Sequence, residues 1–463
     1  MCAAMVSSFI DPLVVGERPL LASGQADRHI TTRAMARFVC RAGDCEDTCC
    51  RDWAVVLDRA SIDRLQQVMS KTAEDRARFV RLVVVGRPAA VSPEPAHLKM
   101  DDRAVCEMLD ADRRCGIQTR WGEQAMVTAC SIFPRTALAH GPYLEVGGSL
   151  ACPEVARLSL LDDDGLLPVT GGPSILPRAY VGKEISADPD DRYAAHFAPV
   201  RAALLDLFAR EEFPLGSNLI FAANLAAQVE PFFHRDSAAL RGAQRLFTER
   251  HLSEELSAAG QPEALQVLHA ELQSFTGADH AAVANTASLL LERRRLPHSP
   301  RFAALLQQAF GSLQEEALGR PADPSDSVTA LALAAVYRRR REALTRRLPE
   351  QADRLFRRYC RHFLLRHPFT DSASLLEHLG KLALQLGAVR LLTLAHPALA
   401  ARLAAPADAR ADHDTFAQVA IESIQTFTKA VSHQIEALEV MYQAARESGG
   451  FSFGRLSILA KQI

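Results

Sequence analysis

At 463 residues, 48% of them hydrophobic, the chain is long enough for two or three domains with cores of their own. Lys and Arg total 53 against 55 Asp and Glu, a formal net charge of −2, so overall charge gives no argument for nucleic acid or a membrane surface. Aromatic residues make up 6%, Ala, Leu and Arg abound, and β-branched clusters are scarce, so the chain is predicted to be mainly α.

In chain order, residues 1–33 show no clear periodicity. Pro12, Gly16, Pro19 and Gly24 break the stretch up, and it reads as an N-terminal arm. Met1-Cys2-Ala3-Ala4-Met5-Val6 carries no basic region, and Asp11 and Pro12 end the apolar run too early for a signal peptide. No run of about 18 apolar residues occurs, so no membrane span is expected and the expected location is cytoplasmic.

A cysteine-rich module is predicted over 34–161. Its first loop, Cys40-Arg41-Ala42-Gly43-Asp44-Cys45-Glu46-Asp47-Thr48-Cys49-Cys50, is spaced C-x4-C-x3-C-C, and Cys106, Cys115, Cys130 and Cys152 follow. Only Cys2 and Cys360 of the ten cysteines lie outside this zone. Disulfide frameworks belong to small secreted domains, whereas clustered thiols in a large cytosolic chain more often bind metal. All-thiolate ligation suits zinc or an iron–sulfur cluster, and spacing alone does not separate them. Adjacent residues on an extended chain point to opposite sides, so one of Cys49 and Cys50 could be a ligand while the other packs or serves a second centre. Eight thiols could make two four-cysteine sites, or one cluster with four supporting cysteines.

Trp53-Ala54-Val55-Val56-Leu57 reads as a strand or a packing segment, with Trp53 shielding the thiols from water. Ser61 is the expected cap of a helix carrying Ile62, Leu65, Val68 and Met69. Two short extended pieces joined by a polar turn would bring Cys106 and Cys115 together. Pro153 fits the first position of a helix whose backbone N–H groups point back toward Cys152. Val83-Val84-Val85-Gly86-Arg87-Pro88 is too short, and too soon broken by proline, for a dinucleotide-type glycine turn. A doubly wound, Rossmann-type fold is therefore not expected.

These motifs, C-x4-C-E-D-x-C-C-x-x-W, then C-x8-C-G-I-Q, C-x-x-F-P-R and S-L-x-C-P-E-x-A-R, resemble the flagellin lysine-N-methylase family. More distantly, they resemble cysteine-cluster proteins described as zinc- or iron-chelating. Asp52 departs from the family pattern, which usually has glycine before the tryptophan; the change affects the turn without removing a ligand.

Residues 162–191, rich in Asp, Gly and Pro, read as a linker, and 192–463 as a helical domain forming an irregular bundle. Val200, Leu204, Leu207 and Phe208 recur at helical spacing, as do Leu215, Leu219, Ala222 and Leu225. Leu265, Leu268, Leu272 and Phe275 mark another helix, and 289–296 another. A long helix is predicted from Val328 to Arg346, with the run Arg338–Arg341 followed by Arg346, Arg347, Arg354, Arg357, Arg358 and Arg361. The plain reading of these arginines is a solvated face; an anion or acidic-partner surface comes second. Nucleic acid comes last, since aromatic interleaving is sparse.

Arg358-Tyr359-Cys360, with His367-Pro368 after it, resembles the family's Asn-Tyr-Leu and Phe-Pro segment, with Arg358 in place of Asn, Cys360 in place of Leu and His367 in place of Phe. Cys360 is expected to be a buried small side chain. A last helix is predicted from Phe416 to Arg446. It contains Lys429-Ala430-Val431-Ser432-His433, resembling the family's Arg-Ala-x-x-His segment, and His433 is a candidate only through that resemblance.

The resemblance implies a bacterial, S-adenosylmethionine-dependent protein-lysine N-methyltransferase acting on flagellin. It implies an iron–sulfur cluster, of the 4Fe-4S kind, on Cys40, Cys45, Cys49, Cys50, Cys106, Cys115, Cys130 and Cys152. Which four hold it stays open, as does radical against polar transfer, although C-x4-C-x3-C is not the C-x3-C-x2-C spacing of the common radical enzymes. Polar transfer needs a base for the lysine; the sequence does not identify it, and Tyr143, Glu145 and Glu154 are candidates only because they sit among the cysteine motifs. The alternative is a non-catalytic zinc- or iron–sulfur-binding module with a helical protein-docking domain.

Overall fold

A five-stranded mixed sheet lies where an irregular module was expected. The computed structural model describes residues 28–53, 55–85, 96–170, 175–178, 180–186, 188, 191–233, 248–274, 286–287, 290, 299–321, 328–432, 435–447 and 449–462. They divide into two units, the first drawn from 1–158, 162–185 and 428–435, the second from 159–161, 186–427 and 436–463.

In the first unit, strand β1 (Arg28–Thr32) leads directly into helix α1 (Arg33–Arg37), because the Thr32 side chain accepts the Met35 N–H and caps it. Helices α2 (Arg59–Met69) and α3 (Ala73–Leu82) follow, then the two-residue strands β2 (Val83–Val84) and β3 (His97–Leu98). Helices α4 (Gly116–Trp121) and α5 (Thr128–Ile132) precede the hairpin of β4 (Arg135–His140) and β5 (Tyr143–Gly148). Helix α6 (Pro153–Leu160) and strands β6 (Pro168–Thr170) and β7 (Lys183–Glu184) complete the series. The sheet order is β6-β1-β5-β4-β7. Strands β1 and β5 are parallel, as are β4 and β7, while β4–β5 and β1–β6 are antiparallel. Every parallel pair thus adjoins an antiparallel one, and no doubly wound sheet occurs among the described residues.

Three local expectations change. The stretch read as an arm, 1–33, gives its last positions to β1, whose parallel partner β5 lies far along the chain. The stretch read as a linker, 162–191, supplies both edge strands, and its Asp164 pairs with Arg33 at 2.7 Å and Arg37 at 2.6 Å. Asp58, rather than Ser61, caps α2, accepting the Ser61 N–H at 2.6 Å. Ser61 is instead buried, and its hydroxyl accepts the Thr128 N–H at 2.9 Å. Residues 55–57 form a packing segment rather than a strand, held by Leu57 N–H on Ala96 O and Leu98 N–H on Val55 O.

The second unit is a helical bundle. Its helices are α7 (Arg192–Ala195), α8 (Phe197–Ala209), α9 (Leu215–Phe233), α10 (Glu249–Ala258), α11 (Pro262–Ser274), α12 (Pro300–Leu318) and α13 (Ala330–Arg347). Then come α14 (Pro349–Arg366), α15 (Leu375–Ala395), α16 (Pro397–Ala404), α17 (Ala409–Phe427), α18 (Ile435–Glu447) and α19 (Phe453–Gln462). The predicted periodic positions Val200, Leu204, Leu207, Phe208, Leu215, Leu219, Ala222, Leu225, Leu265 and Leu272 are all buried. Phe275 and most of 289–296 lie outside the described residues. Helix α15 is buried almost all round, as expected of a central helix, and packs on α9, α12, α17 and α19. No single helix among the described residues is long and apolar enough to cross a membrane. The bent pair α15–α16 reaches that length and composition, with α15 filling the core of its unit.

The arginine run is not simply a solvated face. Arg340, Arg347 and Arg357 turn inward onto helix C-termini, where carbonyl groups lack intrahelical partners. Arg340 donates to Leu394 O at 3.0 Å, and Arg347 to Arg402 O at 3.0 Å and Ala405 O at 2.6 Å. Arg357 donates to Arg210 O and Phe213 O, each at 2.8 Å, and to Asn218 Oδ1 at 3.0 Å, while pairing with Asp353. The five N–H groups of a guanidinium suit this multiple capping.

The helix predicted from 416 to 446 is broken. Helix α17 ends at Phe427, a π-turn spans Thr428–Ser432, and α18 begins at Ile435.

Candidate metal centre

The thiols come together because short stretches of backbone pair without forming full strands. Cys106 N–H donates to Cys50 O and Asp52 N–H to Ala104 O, both at 2.8 Å, so 50–52 runs against 104–106. The predicted hairpin between Cys106 and Cys115 is a tighter structure, closed by an isolated bridge between Leu109 and Cys115, while a separate bridge between Met100 and Cys106 closes the turn before it. Its closure explains Gly116 in the C-G-I-Q motif: Gly116 N–H lies 2.6 Å from Met108 O, and an added Cβ would stand 2.7 Å from that oxygen.

The eight thiols divide into two sets. Cys50 contacts Cys115 and Cys49, and Cys130 lies within electrostatic range of Cys50, Cys115 and Cys106. These five cysteines share one apolar core with Trp53, Met108, Ile117 and Val127. Cys152 lies within electrostatic range of Cys45 and Cys40 instead, and packs with Met35, Val155, Phe38 and Phe133. Trp53 spans the border, with its ring 4.7 Å from that of Phe133 and its Nε1–H donating to Cys49 O at 2.5 Å. The nine described cysteines are all free thiols; Cys360 is fully buried in the helical unit, as expected, and Cys2 lies outside the described residues.

Several sulfurs face backbone donors. Cys40 Sγ accepts Ala42 N–H at 3.4 Å. Cys115 stands at the N-cap of α4 without a side-chain cap hydrogen bond. Cys152 immediately precedes Pro153, the first residue of α6, and faces the N–H groups of Val155 and Glu154. Such donors stabilise a thiolate. Burial opposes them: it pushes Cys106 up to about 11 and Cys152 up to about 12. At Cys50 the contact with Cys115 favours the thiolate. The contact with Cys49, burial and the neighbouring thiols outweigh it, and Cys50 rises to about 12. Burial likewise raises Cys130 and Cys45, and the contact with Cys50, then burial, raises Cys115. The protonated thiol is thus favoured at Cys45, Cys50, Cys106, Cys115, Cys130 and Cys152, and a soft cation would have to displace those protons.

Among the described residues, no three His, Cys, Asp or Glu side chains are drawn together tightly enough to hold a metal ion as they stand. The chemistry of the donor set nevertheless fits an all-thiolate group: Cys50, Cys106, Cys115 and Cys130 come from four chain segments and lie in an apolar surround, with Cys115 at the start of α4.

The acidic residues of the C-E-D-x-C-C motif are anchors. Glu46 pairs with Arg157, the last residue of the C-P-E-x-A-R motif, which also holds Glu154 at 3.0 Å. Asp47 pairs with Lys429 at 2.9 Å, and both side chains are buried. Sequence reasoning missed both pairs, although the motif positions of Glu46, Asp47 and Arg157 were on view. All four non-glycine residues with positive φ among the described residues lie in these loops: Ala42, Asp52, Ala104 and Arg113. Asp52, at φ +69°, holds the left-handed conformation that glycine adopts freely.

Of the candidate bases, Glu154 is engaged by Arg157, Glu145 lies 2.5 Å from His140 Nε2, and Tyr143 OH accepts from Arg28 at 3.4 Å. His433 lies outside the described residues.

The model of the FliB lysine N-methylase C-terminal domain matches residues 201–459, more than half of the chain. The chain belongs to the FliB lysine N-methylase family. A lysine-N-methylase of Salmonella typhimurium strain LT2 is 28% identical over 136 residues, covering 28% of this chain and 32% of that protein. The flagellar biosynthetic protein FliU of Salmonella muenchen is 29% identical over 136 residues, covering 28% of this chain and 76% of its own. The aligned stretch thus spans about a third of the curated lysine-N-methylase. No solved structure matches.

Within the FliB-matched region, Arg358, which replaces the family's Asn, donates to Leu160 O at 3.1 Å and Leu161 O at 3.0 Å, closing the C-terminal end of α6. Tyr359 is buried, with its hydroxyl on Gln385 Oε1 at 3.4 Å, and Gln385 donates in turn to Tyr442 OH at 2.7 Å.

Proposed function

We propose that this chain is an S-adenosylmethionine-dependent protein-lysine N-methyltransferase acting in the cytoplasm on flagellin, with an iron–sulfur cluster held by its N-terminal cysteines. The observation that carries the reading is the FliB lysine N-methylase match over 201–459. The cysteine assembly supports the cluster, since soft thiolate donors in an apolar surround suit iron–sulfur or zinc.

Methyl transfer to an amine sets three demands. The lysine, with a free pKa of about 10.4, must lose its proton. Its nitrogen must line up behind the methyl–sulfur bond, and both reactants must be held at near-attack distance. Cys50, Cys106, Cys115 and Cys130 would hold the group, with Trp53 excluding water beside them. When bound on three of these four thiols, a cluster would supply a Lewis-acidic iron with an open position for the amino and carboxylate groups of S-adenosylmethionine.

The test is anaerobic purification with iron and sulfide analysis, an optical spectrum and S-adenosylmethionine binding on one sample. A brown protein with about four irons and bound S-adenosylmethionine supports the reading. A colourless zinc protein without that affinity overturns it in favour of a non-catalytic metal module. Mass spectrometry of flagellin from a deletion strain then tests the substrate: loss of methylated lysines is expected. Unchanged flagellin, with another protein losing methyl groups, would keep the chemistry and replace the substrate.

A further inference from the structure

Residues 428–435 belong to the thiol-bearing unit although they lie near the far end of the chain. Their π-turn carries Lys429, whose side chain is 5% exposed. Its Nζ donates to Asp47 Oδ1 at 2.9 Å and to Thr48 O at 3.0 Å. Asp47 and Thr48 separate Cys45 from Cys49, and Thr48 Oγ1 accepts the Cys50 N–H at 3.2 Å. One ammonium therefore fixes the two residues that stand between the two sets of thiols.

A buried ion pair is a weak source of net stability, because removing two charges from water costs about as much as their attraction returns. What it does well is select one geometry, since a buried charge tolerates few alternatives. Lys429 also has no lone pair to offer a metal while it is charged. π-Turns are rare and recur at functional sites. Here the turn brings a lysine to the cysteine loop.

We propose that Lys429 is a positioning residue for the metal-binding loop: it holds Asp47 and Thr48 so that Cys45 lies toward Cys40 and Cys152, while Cys50 lies toward Cys106, Cys115 and Cys130 with Cys49 packed beside it. The inference rests on the reading that these thiols hold a metal group. It extends that reading by assigning a residue outside the cysteine motifs to the assembly of the site.

The test uses the full chain, purified anaerobically, as wild type, Lys429→Met, Lys429→Arg and Asp47→Asn. Iron and sulfide per chain are measured. In the reduced, metal-free proteins, alkylation rates of individual cysteines are mapped by mass spectrometry, with Cys360 as internal control and far-UV circular dichroism as the check on folding. Lys429→Met and Asp47→Asn should lose iron several-fold, with faster alkylation of Cys45, Cys49 and Cys50 and an unchanged rate at Cys360. Lys429→Arg should keep most of the iron. Wild-type iron and alkylation rates in folded Lys429→Met overturn the proposal. If that variant does not fold, iron kept in Lys429→Arg and lost in Asp47→Asn supports it, and equal iron in both overturns it. If wild type itself takes up no iron, the cluster reading fails, while the alkylation rates still decide whether Lys429 orders the loop.

Discussion

The Gly116 N–H donates to the Met108 carbonyl at 2.6 Å, and a Cβ on Gly116 would stand only 2.7 Å from the same oxygen. Gly116→Ala should therefore push the two backbones apart, at a cost of about 1–3 kcal/mol, the usual scale of overpacking. Chemical denaturation measures that cost. Alkylation of the neighbouring Cys115 should quicken, and an unaltered rate would mean the loop absorbs the methyl group elsewhere.

Asp52 occupies φ +69° two residues after the cysteine pair. Alanine there retains the left-handed strain that glycine escapes, so Asp52→Ala should be less stable than Asp52→Gly by about 1 kcal/mol. Comparing the two variants with each other removes the shared loss of the carboxylate. Equal midpoints would show that the turn relaxes.

Cys106 is buried within the larger thiol set, whereas Cys360 is buried in the helical unit. Cys106→Ser should abolish iron binding. Cys360→Ala should leave iron content unchanged and lower stability by about 1 kcal/mol. Iron analysis beside an unfolding curve distinguishes the two effects, and retained iron in Cys106→Ser would remove that thiol from the ligand set.

Arg357 serves the carbonyls of Arg210 and Phe213, the Asn218 amide oxygen and Asp353 at once. Arg357→Met would leave Phe213 O and Asn218 Oδ1 buried without their donor, and a loss of about 1–3 kcal/mol is expected. A stability close to wild type would mean that water reaches these groups.

His378 is buried, and burial first, then Lys381, lowers its pKa from 6.5 to about 3. The unfolded chain binds this proton below about 6.5 while the folded one does not, so the stabilising contribution is present above that value and is lost as pH falls toward 3. The slope should approach about 1.4 kcal/mol per pH unit at most. Denaturation at neutral and mildly acidic pH, repeated with His378→Phe, should show a flatter dependence in the variant. Identical slopes would assign the acid sensitivity to other groups.

Most of the helical unit was legible from spacing alone, because Val200 to Phe208 and Leu215 to Leu225 recur with a helical period on buried faces. The sheet was not: β1 is five residues long, β7 only two, and their partners lie far away in the chain, beyond the reach of any local period. The positions of the thiols were visible as clustering. Their division into two sets was not, since it depends on the pairing of 50–52 with 104–106 and on Cys115 and Cys152 standing at the starts of two different helices. The inward arginines were hidden for a further reason. A long guanidinium leaves the same trace in sequence whether it meets water or a helix C-terminus, and only the fold brings Leu394 O or Phe213 O within its reach.

Asp47 and its cation are 382 positions apart. At the ordinary pace of translation, about 5–20 residues per second, the cysteine loop leaves the ribosome some 20–75 s before Lys429 exists. The nascent chain thus exposes reactive sulfur well before the partner that shapes the loop is made. A fragment stopping at residue 185 would stay in that immature state, with all eight motif cysteines present and Asp47 still waiting for its lysine.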